Sequence, residues 1–351
     1  MVELVRKLCD RSKFQCNGLH SNHVRVLCCL LLSFTTPAFV MLGFSTYSDF
    51  QSATMKLSPE YFLCYTGEGR LGNQMFRFAS LTGIAERNNF TVIITKNDPL
   101  YQIFDLKSVL VLENGKLCDT FKLLEEASCC SKFDKYLMAL PNKQNYRVGY
   151  YLQSWRYFSH IQDKIRKQFQ FKNHTREKVS SIMKNVRSRF VLKSPTIIGI
   201  HIRMGDLVKE KMYYNHGMVV APEEYIHNAI DYMKDKFPEL IFVVATNDLK
   251  WSQKTLSKRT KDNIYFLNEG NAPEVDLATL ASCDHVILTV GTFGWWAGYL
   301  AGGISVYYPH PARVGSKATF QYNYEDYYPP QWVGLDVSSA NPNNTLTNTR
   351  T

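Results

Sequence analysis

No Asp-x-Asp pair occurs in the chain, no two cysteines have the spacing of a zinc site, and the nine histidines are scattered without ligand spacing. A divalent cation held by any of those familiar arrangements is therefore not written in the sequence. Also missing are the Gly-Lys-Ser ending of a phosphate-binding loop and a full dinucleotide fingerprint. Acidic residues are in the minority: 41 Lys and Arg against 31 Asp and Glu leave a net charge of +10. That excess is spread along Lys-rich amphipathic stretches such as residues 164–193, which fits a solvated helix face better than a nucleic-acid patch. At 45% hydrophobic and 13% aromatic over 351 residues, the chain is not disordered and is long enough to bury two cores.

One long hydrophobic run is present. Val26 to Phe44 is uncharged and mostly apolar over nineteen residues. At about 1.5 Å per helical residue this nearly matches the hydrocarbon thickness of a bilayer. Pro37 within it is tolerable in a membrane helix. Arg6, Lys7, Arg11, Lys13 and Arg25 precede the run, and Lys56 is the nearby base after it, so the N-terminus is expected to stay cytosolic. The rival, a cleaved signal peptide, has a shorter lead, a shorter apolar core and a small-x-small site. The expectation is a single-pass type II membrane protein with a cytosolic tail over 1–25, an anchor over 26–44, a stem over 45–60 and a lumenal body. Sequons at Asn89, Asn173 and Asn343 suit that compartment. Cys64, Cys118, Cys129, Cys130 and Cys283 would then face an oxidising lumen. Five is odd, so at least one stays free or pairs between chains, and Cys118 with Cys129 or Cys130 is the expected local bridge.

Within the body, hydrophobic periodicity predicts a strand over 61–66, a glycine-bearing loop over 67–72, a helix over 73–87 and a strand over 91–95. The helix pattern places Met75, Phe78, Ala79, Thr82 and Ala85 near one face. Between 99 and 156 short apolar pieces alternate with charges, and 146–153 reads as a strand. Residues 161–190 carry a helical period, and Lys193-Ser194-Pro195 breaks it. Downstream, strands at 196–200, 240–245, 264–267, 285–290 and 304–307 alternate with helices at 222–236, 249–256, 274–281 and 293–301, the pattern of a parallel sheet. A first domain over 61–194 and a second over 195–337 are expected, with a disordered tail over 338–351.

Three strand-to-helix junctions carry candidate chemistry. Thr196 to Ile200 is β-branched or small, so His201, Arg203 and Asp206 should emerge at the carboxyl end of a buried strand, where ligands of open α/β sheets sit. Arg203 offers a planar fork of donors to a diphosphate, or it closes a loop by pairing with Asp206. Gly69-Arg70-Leu71-Gly72-Asn73-Gln74 is a second junction, either a tight turn or a place where amides and Arg70 approach an anion. Val290-Gly291-Thr292-Phe293-Gly294 is the third. Its Thr292 is placed to cap a helix whose first-turn amides would favour an anion. Gly294, Gly298 and Ala301 make a small-residue helix face that close packing on a sheet explains without a ligand. Asp276, at a helix start, either offsets the dipole or accepts from N1–H and the exocyclic amine of a guanine. His201 is either a buried core histidine or a hydrogen-bond partner of a nucleotide.

Taken together, Gly69-Arg70-Leu71-Gly72-Asn73-Gln74-Met75-Phe76, His201-Ile202-Arg203-Met204-Gly205-Asp206 and Thr292 to Gly303 resemble the galactoside α1,2-fucosyltransferases, in order and over nearly the whole body. The resemblance implies an α/β fold of the GT-B kind, with two Rossmann-like domains facing across a cleft. It implies GDP-fucose as donor, a galactose-type hydroxyl of a glycan as acceptor, inversion at the anomeric carbon, a Golgi membrane location and no metal. Carried onto these positions, Arg203 binds the diphosphate, His201 and Asp276 hold the guanine side, Gly291, Thr292 and Phe293 line the same pocket, and Arg70, Gly72 and Asn73 stand at the cleft. The chain departs from the family's paired arginines at Met204, which removes a charge-assisted hydrogen bond of typically ~1.5–3 kcal/mol unless another residue such as Arg70 supplies it. Asp206 is the expected general base, with a brace on Arg203 and proton transfer to water or phosphate as the alternative. Two other readings fit the residues: a catalytically silent glycan-binding or chaperoning membrane protein on the same fold, and a fucosyltransferase of different linkage.

Overall fold

The computed structural model describes residues 61–66, 69–141, 143–260 and 263–337. The anchor, the stem, Asn343 and the C-terminal tail lie outside them. Among the described residues no helix is long and apolar enough to cross a membrane.

Two wholly parallel sheets organise the chain. The first has the order β3-β2-β1-β5-β4, built from β1 (Tyr61–Tyr65), β2 (Phe90–Thr95), β3 (Val109–Leu112), β4 (Lys122–Leu124) and β5 (Tyr146–Val148). The second runs β8-β7-β6-β9-β10-β11, from β6 (Thr196–Ile202), β7 (Leu240–Thr246), β8 (Ile264–Phe266), β9 (His285–Leu288), β10 (Ser305–Tyr307) and β11 (Val333–Gly334). Its strands enter in the doubly wound sequence, and the order reverses between β6 and β9; in the first sheet it reverses between β1 and β5. Such reversals open a crevice at the strands' carboxyl ends. β6 and β7 are buried along nearly their whole length, as strands covered on both faces must be.

Helix α1 (Leu71–Asn88) differs from the one-faced helix its periodicity suggests. Every residue from Met75 to Ala85 is buried. Phe76 meets Trp295 and Trp296 at ring separations of 4.4 and 5.1 Å, while Phe78 meets Phe169 at 5.7 Å. A helix enclosed all round carries apolar or small residues on most faces, with the buried Arg77 donating from Nη1 to the Thr66 carbonyl at 3.3 Å, and it ends at Asn89, whose left-handed φ of 57° lets its amide bond the Ala85 carbonyl. The 161–190 segment is not one helix. It breaks after Gln168 so that Phe169 and Phe171 both pack on Phe104, at 4.9 and 4.8 Å, before α2 (Asn173–Arg189) begins. The chain continues through α3 (Glu223–Lys236), α4 (Pro273–Ala281) and α5 (Thr292–Ala301).

Two further expectations are corrected. The strand expected over 146–153 stops at Val148, because Tyr150 and Leu152 take left-handed φ values of 65° and 51°. These turns send Leu152 inward, where its carbonyl accepts from Ser80 Oγ at 2.7 Å and its amide donates to Glu126 Oε2 at 3.0 Å, while Tyr151 and Gln153 face the cleft. Cys118 does not bridge Cys129 or Cys130 but Cys64 of β1, with their Cα atoms 6.0 Å apart over a small cluster containing Ile93 and Phe121. Cys129 and Cys130 pair with each other, and Cys283 is buried and free.

Candidate active site

The segments that follow the carboxyl ends of both sheets line one cleft of about 850 Å³. Its centre is Arg203. The turn after β6 is fixed by its own backbone: the Arg203 amide donates to Thr289 Oγ1 at 3.0 Å, and the Met204 and Gly205 amides both donate to Asn247 Oδ1, at 2.8 and 3.1 Å. Arg203 then grips Asp206, with Nε 3.2 Å from both carboxylate oxygens and Nη2 2.9 Å from Oδ2. Asn247 Nδ2 donates to Oδ1 at 2.8 Å, and Arg70 reaches in from the other sheet to Oδ2 at 2.5 Å. Burial works to raise the Asp206 carboxyl, but the hydrogen bonds from Arg203 and Arg70 and the Arg203 charge outweigh it and hold the group well below the usual carboxylate range. Such a carboxylate is a good brace and a poor proton acceptor.

Gly291 gives the guanidinium its remaining room. It adopts φ +94°, and a Cβ there would fall 2.7 Å from Arg203 Nη1. The guanidinium also lies over the Tyr213 ring, its Cζ 5.2 Å from the ring centre. Arg203 thus keeps Nη1 beside Gly291, the residue from which α5 starts. No side chain caps that helix, so its first-turn amides add a partial positive charge to the same corner.

Thr292 does not cap α5 as its position suggests. Its hydroxyl donates to Asn73 Oδ1 at 2.7 Å, and Asn73 Oδ1 also accepts from Gln153 Nε2 at 3.1 Å. Gly72 lies directly against this junction: a Cβ on it would sit 2.7 Å from the Thr292 carbonyl carbon, and its own carbonyl accepts from Trp296 Nε1 at 3.0 Å. The glycine's missing side chain is used by the facing helix.

His201 is buried beneath this corner, with Phe293 at a ring separation of 5.2 Å. Burial first, then the Arg203 charge, push its pKa down to about 3, so it is a neutral imidazole. Its Nδ1 has no hydrogen-bond partner and faces Gly294, where a Cβ would come within 2.5 Å. Asp276 stands further along the cleft in the first turn of α4, with its carboxyl raised by burial and partly offset by a 2.8 Å hydrogen bond from Asn271 Nδ2. His201, Arg203, Asp276, Gly291, Thr292, Phe293, Arg70, Gly72 and Asn73 all line the one cleft, and Asp206 braces it from behind. Gly298 packs on Ser305 and Leu288, so the small-residue face of α5 serves helix–sheet contact there. Asn89 and Asn173 are exposed, the latter at the first position of α2.

Asn247, Tyr213 and Gln153 were not singled out from the sequence. Asn247 was within reach of the same reasoning that found Arg203, since it directly follows the buried strand β7. Tyr213 and Gln153 gave no signal, because irregular segments bring them in.

Two Rossmann-like halves with their strand ends turned to one cleft make this an α/β protein of the GT-B kind. The family model described as Glycosyl transferase family 11 matches residues 46–336, and the chain belongs to that family. Galactoside 2-alpha-L-fucosyltransferase Sec1 of Mus musculus is 30% identical over 288 residues, covering 79% of this chain and 74% of the mouse protein. Galactoside alpha-(1,2)-fucosyltransferase 1 of Saimiri sciureus is 29% identical over 275 residues, or 77% and 74% of the two chains. Among solved structures, POFUT1 in complex with GDP-fucose superposes with a TM-score of 0.47 at 12% identity, covering 71% of this chain and 98% of that one. A point mutant of Arabidopsis thaliana FUT1 in complex with GDP gives 0.48 at 12% identity over 77% and 78%.

Proposed function

We propose that this chain transfers L-fucose from GDP-fucose to a galactose hydroxyl of a glycan in α1,2 linkage, with inversion. Family membership and the names of the aligned relatives support the donor and the linkage. The observation that carries the reading is the placement of Arg203: braced by Asp206 and Asn247 at the β6–β9 reversal, with Nη1 left beside Gly291 and the uncapped start of α5. A diphosphate lying there meets a fixed guanidinium and helix amides, which neutralise charge as the nucleotide departs. Asp276 accepts from the guanine edge, and neutral His201 supports Arg203 and the nucleotide without adding a competing charge. Arg70 supplies from the first half the second guanidinium that Met204 does not.

The acceptor oxygen attacks C1 from the face opposite GDP as the C1–O bond to the diphosphate breaks, through an oxocarbenium-like transition state, and the hydroxyl proton leaves to water or to the departing phosphate. Asp206, with both oxygens engaged, acts as the clamp that aims Arg203 rather than as the base first expected there. The run over 26–44 is proposed to anchor the enzyme as a type II protein of the Golgi membrane, with the two-sheet body in the lumen and Asn89 exposed for glycosylation.

The test is transfer from GDP-fucose to galactose-terminated glycans with and without chelator, followed by linkage analysis. An α1,2-fucosyl product formed at an unchanged rate in chelator is expected. Attachment at another position would reject the linkage, and GDP binding with no transfer to any glycan would favour a silent binding protein.

A further inference from the structure

The donor-binding corner uses only part of the cleft. Its other wall is made by the Cys129–Cys130 disulfide, Tyr151, Met212 and the His216–Gln321 pair. These residues come from four separate segments, yet they are stitched together. The Ser131 amide donates to the Gln321 carbonyl at 3.1 Å, and Ser131 forms a β-bridge with Tyr322. Cys130 accepts the Gln153 amide at 2.8 Å, and His216 Nε2 lies 2.7 Å from Gln321 Oε1. If Gln321 Oε1 accepts, as an amide oxygen must, Nε2 carries the proton and Nδ1 is left as an acceptor.

We infer that this wall is the acceptor subsite, with the adjacent-cysteine disulfide as the apolar ledge under a pyranose ring and His216 as a hydroxyl acceptor. A pyranose has a face of C–H groups and a rim of hydroxyls, so its site needs a flat, polarizable surface beside a few fixed polar atoms. Two linked sulfurs, in the same cleft as Tyr151 and Met212, supply the surface without an S–H donor. The disulfide is tied through Gln153 to Asn73 and thence to Thr292, so the ledge is held in register with the donor corner. This rests on the fucosyltransferase reading and specifies the acceptor side of that same cleft.

The test compares the native enzyme with the Cys129→Ala/Cys130→Ala double variant and, independently, with His216→Ala. For each, the KM for a galactose-terminated acceptor is measured alongside GDP affinity and the KM for GDP-fucose. A rise of about tenfold in acceptor KM with donor values within about twofold of native is expected for both variants. Unchanged acceptor KM in both would overturn the subsite. Parallel losses of GDP affinity and acceptor KM would also overturn it, making the segment a prop for the Asn73 loop. Native enzyme that does not bind GDP would refute the donor reading itself, and this inference with it.

Discussion

The Thr292 hydroxyl donates to Asn73 Oδ1 at 2.7 Å across 219 positions of sequence, and this one contact joins the first turn of a helix in each half of the molecule. Asn73→Ala removes the shared acceptor of Thr292 and Gln153. Unfolding in urea is expected to show a loss of about 1–3 kcal/mol, with reduced transfer. Gly72→Ala should be worse, because the added methyl meets Thr292 backbone at 2.7 Å rather than a movable side-chain end.

Gly291 tests the placement of Arg203 without touching the arginine. In Gly291→Ala, a Cβ would occupy the space of Nη1 at a φ that disfavours any side chain. Turnover of GDP-fucose is expected to fall at least about tenfold, with thermal stability lowered by the strained backbone as well. Arg203→Lys keeps a positive charge but loses the fork that holds Asp206 and a phosphate together, and kcat/KM should drop by about 10² or more.

Asp206→Asn separates the clamp from the base. If Asp206 only aims Arg203, the variant's rate falls by roughly tenfold, with the donor KM raised and the shape of the pH–rate profile unchanged. A profile that loses one limb would restore the base assignment.

Glu126 sets a pH dependence of stability. Burial pushes its carboxyl up to about 8, so at neutral pH it is largely protonated while it accepts the Leu152 amide. The folded state therefore holds a proton that the unfolded chain, titrating near 4.5, releases. Its stabilising contribution is complete below that lower value, shrinks as pH rises, and is gone once pH passes about 8. Glu126→Gln keeps an acceptor for Leu152 and removes the titration, so the urea midpoint should vary less between pH 5 and 8.

The parts legible in the sequence were those governed by local pattern. β6 is a run of branched residues that only a doubly covered strand uses, and the polar residues following it had to lie at the cleft. The same rule placed Gly291, Thr292 and Phe293. What local pattern could not give was set by contacts between distant segments. The full enclosure of α1 depends on Trp295 and Trp296 arriving more than two hundred residues later. Tyr150 and Leu152 take left-handed turns although neither is a glycine, because Ser80 and Glu126 fix Leu152 from inside. Cys118 found Cys64 because a sheet brings β1 beside it, whereas nearness in sequence pointed to Cys129 and Cys130. Arg203–Asp206 pairing and ligand binding were posed as alternatives; the geometry makes the pairing compatible with binding, since Asp206 takes Nε and Nη2 and leaves Nη1.

The most direct measurement is a crystal structure of the chain with GDP. The diphosphate is expected between Gly291 and Tyr213, with Arg203 Nη1 hydrogen-bonded to a phosphate oxygen while Nε and Nη2 stay on Asp206. Diphosphate bound elsewhere in the cleft, with Arg203 touching only Asp206, would contradict it.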